Sequence, residues 1–167
     1  DAIAASVQLG DFCSATVIDD PDLSDGVQST ILTAKHCVKS KALGELFDVT
    51  LKKYDHGYTI LEQTFKFELM SMSKESDLAV LQTYSTEFWV KPIQVSAYDL
   101  DIGDVVYGIG YPLGLTQTIT QGFAGPIEII PNDADSESGE YRRSTALITN
   151  GNSGGGLFRD ENGTWRL

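Results

Sequence analysis

Thr149-Asn150-Gly151-Asn152-Ser153-Gly154-Gly155-Gly156-Leu157 is the stretch that decides the fold, because a serine bracketed by glycines raises the question of where its chemical partners lie. The apolar run before it, Ala146-Leu147-Ile148, reads as a strand entering the glycine-rich turn. Small neighbours let another backbone approach the hydroxyl closely, and they free local N–H groups to converge on one point. Serine alone is a poor nucleophile, so the reading requires a base and an orienting carboxylate elsewhere in the chain.

Gly151-Asn152-Ser153-Gly154-Gly155 fits G-x-S-x-G, the nucleophile elbow of α/β-hydrolases. That fold places its acid and then its histidine after the serine, and no histidine follows Ser153 here. Chain order therefore excludes it. The chain has two histidines, both upstream. His56 sits in the polar turn Asp55-His56-Gly57 and reads as structural or solvent-exposed. His36 follows an apolar strand in Ile31-Leu32-Thr33-Ala34-Lys35-His36-Cys37-Val38, a better position for a functional imidazole. Asp77 opens the strand-like run Asp77-Leu78-Ala79-Val80-Leu81, where an acid is either a turn residue or the carboxylate that fixes an imidazole's tautomer. The order His36, Asp77, Ser153 matches that of the chymotrypsin-type triad.

The bulk composition narrows the class of partner. Twelve basic against 24 acidic residues in 167 give a net charge of −12, which weighs against nucleic acid or an anionic membrane surface. Hydrophobic residues make up 41%, enough for a real core, and no apolar run is long enough to span a membrane as a helix. The start, Asp1-Ala2-Ile3-Ala4-Ala5, has no initiator Met and no charged segment followed by a long apolar stretch, which is compatible with a signal segment already removed or with a start inside a longer chain. Two cysteines, Cys13 and Cys37, fit either one disulfide in an oxidising compartment or two buried thiols. If bonded, they would contribute roughly 3–4 kcal/mol on the chain-entropy model.

β signals dominate the pattern. Short branched runs occur at Ala15–Ile18, Val27–Thr33, Phe47–Leu51, Tyr58–Leu61, Leu78–Leu81, Val105–Ile109, Thr116–Thr120, Ala146–Thr149 and Thr164–Leu167, separated by turn clusters. No segment carries a sustained helical stripe; Ala34 to Leu46 accommodates one or two turns at most. Many short strands predict an all-β sandwich or barrel, with a division near Val90-Lys91-Pro92, where proline is unsuited to mid-sheet. The acidic stretch from Asn132 to Glu140 lacks the oxygen pattern of an EF-hand and reads as a solvated loop rather than a calcium site.

Four blocks in order, Cys13-Ser14-Ala15-Thr16-Val17-Ile18, Thr33-Ala34-Lys35-His36-Cys37, Asp77-Leu78-Ala79-Val80-Leu81 and Gly151-Asn152-Ser153-Gly154-Gly155, resemble the signature segments of trypsin-like serine proteases. A further segment, Gly103 to Gly122 with Tyr107-Gly108-Ile109-Gly110-Tyr111-Pro112-Leu113-Gly114, is similar to the second lobe of HtrA- or Deg-type bacterial peptidases. The resemblance implies two antiparallel six-stranded β-barrels, residues 1–90 carrying His36 and Asp77 and residues 91–167 carrying Ser153. It implies a triad of these three residues, an oxyanion hole from the N–H groups of Gly151 and Ser153, and a Cys13–Cys37 disulfide. HtrA-type enzymes usually lack that bridge, so the chain mixes features of both groups. Protein or peptide substrates, a secreted or periplasmic location and no cofactor are the matching expectations, and two histidines with two paired cysteines do not build a zinc site, so no metal is expected.

Three departures sharpen these expectations. Asn152 stands where activated digestive-type enzymes carry the aspartate that receives a freed N-terminus, so that mode of activation is not expected. Leu147, six positions before the serine, stands where an acid would select Lys or Arg; with Ile148, Thr149 and Asn150 it is the expected substrate-binding segment. Small or medium apolar residues at the cleaved bond are therefore expected, with a glutamyl-endopeptidase-like preference as the alternative through Thr149. The family continues beyond the glycine turn with pocket-lining strands, whereas Phe158 to Leu167 reads as a single hairpin, so the second barrel is expected to be incomplete. A latent enzyme awaiting a further segment and a non-catalytic binding module are the competing readings.

Overall fold

In the computed structural model, residues 2–22, 26–55, 58–88, 90–131 and 139–167 are described. His56 and most of the acidic stretch, residues 132–138, fall outside them, so the expectations made for those segments do too. A one-turn helix, Ala2–Ala5, leads into strands β1 (Ser6–Leu9), β2 (Cys13–Ile18), β3 (Ser29–Thr33), β4 (Leu46–Asp55), β5 (Tyr58–Met72) and β6 (Ala79–Thr83). These close into an antiparallel barrel in the order β1-β2-β3-β6-β5-β4. After a long connection come β7 (Val105–Gly110), β8 (Thr118–Ile130), β9 (Gly139–Ser144), β10 (Gly156–Glu161) and β11 (Thr164–Arg166). They form an open five-stranded sheet, β11-β10-β7-β8-β9. The fold is all-β and chymotrypsin-like, with one closed barrel and one incomplete barrel.

Alternation explains the closed barrel. Along β5, Phe65, Phe67 and Leu69 point inward and are buried, while Glu62, Thr64 and Lys66 face water. They join Val7, Val17, Ile31, Leu51 and Leu81 in one core cluster. Each fully buried side chain of this kind stabilises by about 1.5–3 kcal/mol relative to exposure. Phe88, just past β6, packs edge-on against Phe65 and Phe67, with ring centres 5.2 and 5.8 Å away. Most of β5 lies beyond the short branched run at its start, because charged residues on its solvent face alternate with the core residues along the sequence.

The second sheet's core cluster of buried residues is smaller: Ile93, Ile109 and Phe158 pack with Ala2 and Ala5 of the N-terminal turn. The connection between the sheets is stitched to both. Ile93 exchanges backbone hydrogen bonds with the β2 end, donating to Val17 O at 3.0 Å and accepting from Asp19 N at 2.8 Å. Gln94 and Ser96 do the same with Leu167 at 3.0 and 2.9 Å. Pro92 sits just before this stitch rather than inside a strand, in keeping with its missing donor.

One expected strand is absent. Ala146–Thr149 is irregular, because the chain leaves the sheet after β9 and finds no ladder partner. A threonine hydroxyl replaces the ladder there: Thr120 Oγ1 donates to Leu147 O at 2.9 Å. Branched residues favour a pleated surface only where a neighbouring strand supplies one.

Candidate active site

His36 is held by a single 3₁₀ turn, Lys35–Cys37, at the end of β3. That turn is pinned twice. The Cys13–Cys37 disulfide, with Cα atoms 6.3 Å apart, ties it to the start of β2. Lys35 Nζ donates to Ser73 O at 3.2 Å, in the loop that carries Asp77. Ser73 also organises that loop, its hydroxyl accepting the Ser76 N–H at 3.1 Å and its own N–H donating to Leu78 O at 2.8 Å. Asp77 then grips His36 with both oxygens: the backbone N–H donates to Oδ1 at 2.8 Å, and ring Nδ1 lies 2.5 Å from Oδ2. A carboxylate oxygen here favours the tautomer with its ring proton on Nδ1, and in that tautomer Nε2 carries the lone pair. The histidine side chain is 41% exposed and the aspartate 19%, so the pair opens to solvent on one side.

Ser153 reaches the same place from the second sheet. Thr149–Asn152 and Asn152–Gly155 are two successive turns, closed by Asn152 N to Thr149 O at 3.1 Å and Gly155 N to Asn152 O at 2.8 Å. The third residue of each is a glycine with positive φ, Gly151 at +96° and Gly154 at +81°. Side-chain residues rarely adopt this conformation, and a Cβ at either position would collide with backbone, at Tyr111 and Leu113 or at Ser14. This is why glycines bracket the serine. His36, Asp77 and Ser153 line one cavity of about 550 Å³, with Leu78, Val95, Tyr141 and Leu157 among its walls.

The N–H groups of Gly151 and Ser153 have no acceptor among the described residues. Asn150 O accepts from Leu113 N at 2.7 Å. In a trans peptide the next N–H points the opposite way, so that of Gly151 is directed away from Leu113. Leu147, Ile148, Thr149 and Asn150 do not line the cavity; all four are exposed, Leu147 at 80%. The Cys13 and Cys37 sulfurs lie near the His36 ring, but they are bonded to each other and offer no thiolate to a metal.

The model of the trypsin-like peptidase domain matches residues 13–165. The chain belongs to this family. As a trypsin-like peptidase domain it is 30% identical over 153 residues to serine endoprotease DegS of Haemophilus influenzae, a match covering 88% of this chain and 42% of DegS. It is 33% identical over 110 residues to the chloroplastic Protease Do-like 1 of Arabidopsis thaliana, covering 64% of this chain and 25% of that protein. The chain thus spans less than half the length of these curated relatives. Among solved structures, the Rv3671c protease of M. tuberculosis in its inactive form superposes with a TM-score of 0.67 at 20% identity, covering 98% of this chain and 75% of that one. The MamO protease domain from Magnetospirillum magneticum gives 0.65 at 18%, covering 93% and 78%. At these identities the structural likeness bears on the fold alone.

Two residues of this candidate site carry no motif signal. Tyr141, on β9, enters the cavity wall only through the curl of the second sheet. Ser14 stands in a quoted signature block, yet nothing in the sequence assigns it a task; a buried hydroxyl among the apolar residues of β2 was the available clue.

Proposed function

We propose that this domain is a serine endopeptidase with Ser153 as nucleophile, His36 as general base and acid, and Asp77 as orienting carboxylate. The observation that carries the reading is the grip of Asp77 on His36 Nδ1, 2.5 Å long, beside a cavity that Ser153 also lines. Nε2 takes the Ser153 Oγ proton as the oxygen attacks the scissile carbonyl, and returns it to the departing amine. The N–H groups of Gly151 and Ser153 receive the developing oxyanion, where one donor is worth about 3–4 kcal/mol. Water then releases the acyl group by the reverse proton path.

Substrates are proteins or peptides, and small or medium apolar residues at the cleaved bond are the proposed preference. Leu147 and Ile148 support this by supplying no charge beside the serine turn. An extracytoplasmic location, secreted or periplasmic, is supported by the disulfide and by a relative named as a probable periplasmic serine protease of Haemophilus influenzae, 31% identical over 96 residues. The net charge of −12 weighs against nucleic acid as partner.

The open edge of the five-stranded sheet and the exposure of Leu147 favour a second reading, an enzyme that stays slow until a further segment or partner walls that side. A fluorophosphonate probe with adduct mapping by mass spectrometry separates the two. Rapid labelling at Ser153, lost in Ser153→Ala, supports the first reading. Labelling of folded, oxidised protein only after prolonged exposure supports the second. No adduct at Ser153 overturns both.

A further inference from the structure

We propose that the Ser14 hydroxyl is a positioning group for the reaction, holding from across the interface between the two sheets the peptide that joins the Gly151 and Ser153 N–H donors. The inference rests on the reading of Ser153 as nucleophile given above. Ser14 belongs to β2 of the closed barrel, is fully buried, and touches neither substrate nor the reacting atoms in that mechanism.

Four consecutive carbonyls run through the nucleophile turns, and each has a partner. Asn150 O accepts from Leu113 N at 2.7 Å, Asn152 O from Gly155 N at 2.8 Å, and Ser153 O from Ser14 N at 2.7 Å. Gly151 O accepts from Ser14 Oγ at 2.8 Å. A carbonyl tied on one side sends the N–H of its peptide to the other, so Asn150 O directs the Gly151 N–H and Asn152 O the Ser153 N–H, while the peptide between them is held by Ser14 through Gly151 O. Two of the four anchors come from Ser14.

The direction of its hydroxyl is settled by a second bond. Tyr111 N–H donates to Ser14 Oγ at 3.0 Å, so the Oγ proton is the one given to Gly151 O. Ser14 O in turn accepts from Thr33 Oγ1 at 2.9 Å, which fixes the residue to β3. Gly151, at φ +96°, is the one residue of its turn whose backbone rotates without a Cβ penalty. It is therefore the place where an unanchored loop would relax. Removing the hydroxyl takes from Gly151 O its buried donor, and rotation about Gly151 is the nearest repair. That rotation turns the Gly151–Asn152 peptide and so changes the angle between the Gly151 and Ser153 N–H groups that flank it. The backbone N–H of Ser14 stays in an alanine variant, so Ser14→Ala isolates the hydroxyl.

The test measures fluorophosphonate labelling of Ser153 across probe concentrations, separating the maximal labelling rate from half-saturation. Ser14→Ala is expected to lower the maximal rate by about tenfold to a hundredfold, less than full loss of an oxyanion donor, with half-saturation within about twofold. Ser6→Ala removes another buried hydrogen bond, Ser6 Oγ to Ala2 O at 2.9 Å, which binds no carbonyl of the turn. It is expected to lower the melting temperature comparably and leave the labelling rate alone. Should Ser14→Ala not fold, Ser14→Cys keeps nearly the same volume with a weak donor, and the same fall in rate is expected once peptide mapping confirms the Cys13–Cys37 bridge. Equal rates in wild type and the Ser14 variant overturn the proposal alone, as does a change confined to half-saturation. Absence of Ser153 labelling in the wild type removes the reading of the nucleophile and this proposal with it.

Discussion

The first barrel is closed and the second sheet is open, and the two treat similar residues oppositely. In the first, β5 hides Phe65, Phe67 and Leu69, which are at most 4% exposed. In the second, β8 leaves Phe123, Ile127 and Ile129 exposed at 53%, 54% and 77%. Both strands are long and alternate, so propensity does not separate them. Closure does: six strands give every inward side chain an opposite wall, and five leave one side of the curl without one. The proposed chemistry straddles this difference, its base and carboxylate on the closed side and its nucleophile turn on the open one.

The largest expected effect probes what the closed side supplies. Asp77→Asn is expected to lower turnover by about 10⁴-fold, as the imidazole takes the wrong tautomer, with thermal unfolding nearly unchanged. Retained activity would detach the closed barrel from the chemistry. Core deletion separates the two regions by stability. Phe67→Ala is expected to cost about 3–5 kcal/mol in urea unfolding, whereas Ile129→Ala should stay within about 0.5 kcal/mol. A comparable loss at Ile129 would mean that its face is covered in solution.

Reducing the Cys13–Cys37 bond should remove roughly 3 kcal/mol and slow Ser153 labelling, because the bridge pins the His36 turn. Unfolding with and without reductant reads the first effect. The smallest effect belongs to the open side. Hydrogen bonds from the Ser96 hydroxyl and from Arg159 hold the Glu161 carboxyl below its ordinary value. A depressed folded value means a contribution present above the ordinary glutamate range and lost as pH falls through the folded value. The melting-temperature gap between wild type and Glu161→Gln should therefore be largest near neutral pH and close in acid.

Much of the candidate site was legible along the chain because its residues occupy chemically distinctive places. Ser153 lies among glycines that positive φ requires, His36 beside a cysteine, and Asp77 at the mouth of an apolar strand. The β class was equally legible, since short branched runs punctuated by turns leave no room for helices. Ala146–Thr149 misled for the same reason that the others informed: branched residues announce an extended backbone but not a partner strand. β9 stayed hidden because Gly139–Ser144 is polar and charged, with a half-exposed face.

By itself, then, the sequence determined the residue types the proposed chemistry needs, their order, and the glycines that let a serine turn so sharply. Only the tertiary structure decided which sheet closes, that Leu147 faces water, and that a buried serine on β2 holds the Gly151 and Ser153 carbonyls from more than a hundred residues away. The reason is physical. Local sequence sets φ, ψ and which face is apolar, whereas a hydrogen bond across two sheets exists only once both have folded and excluded water between them.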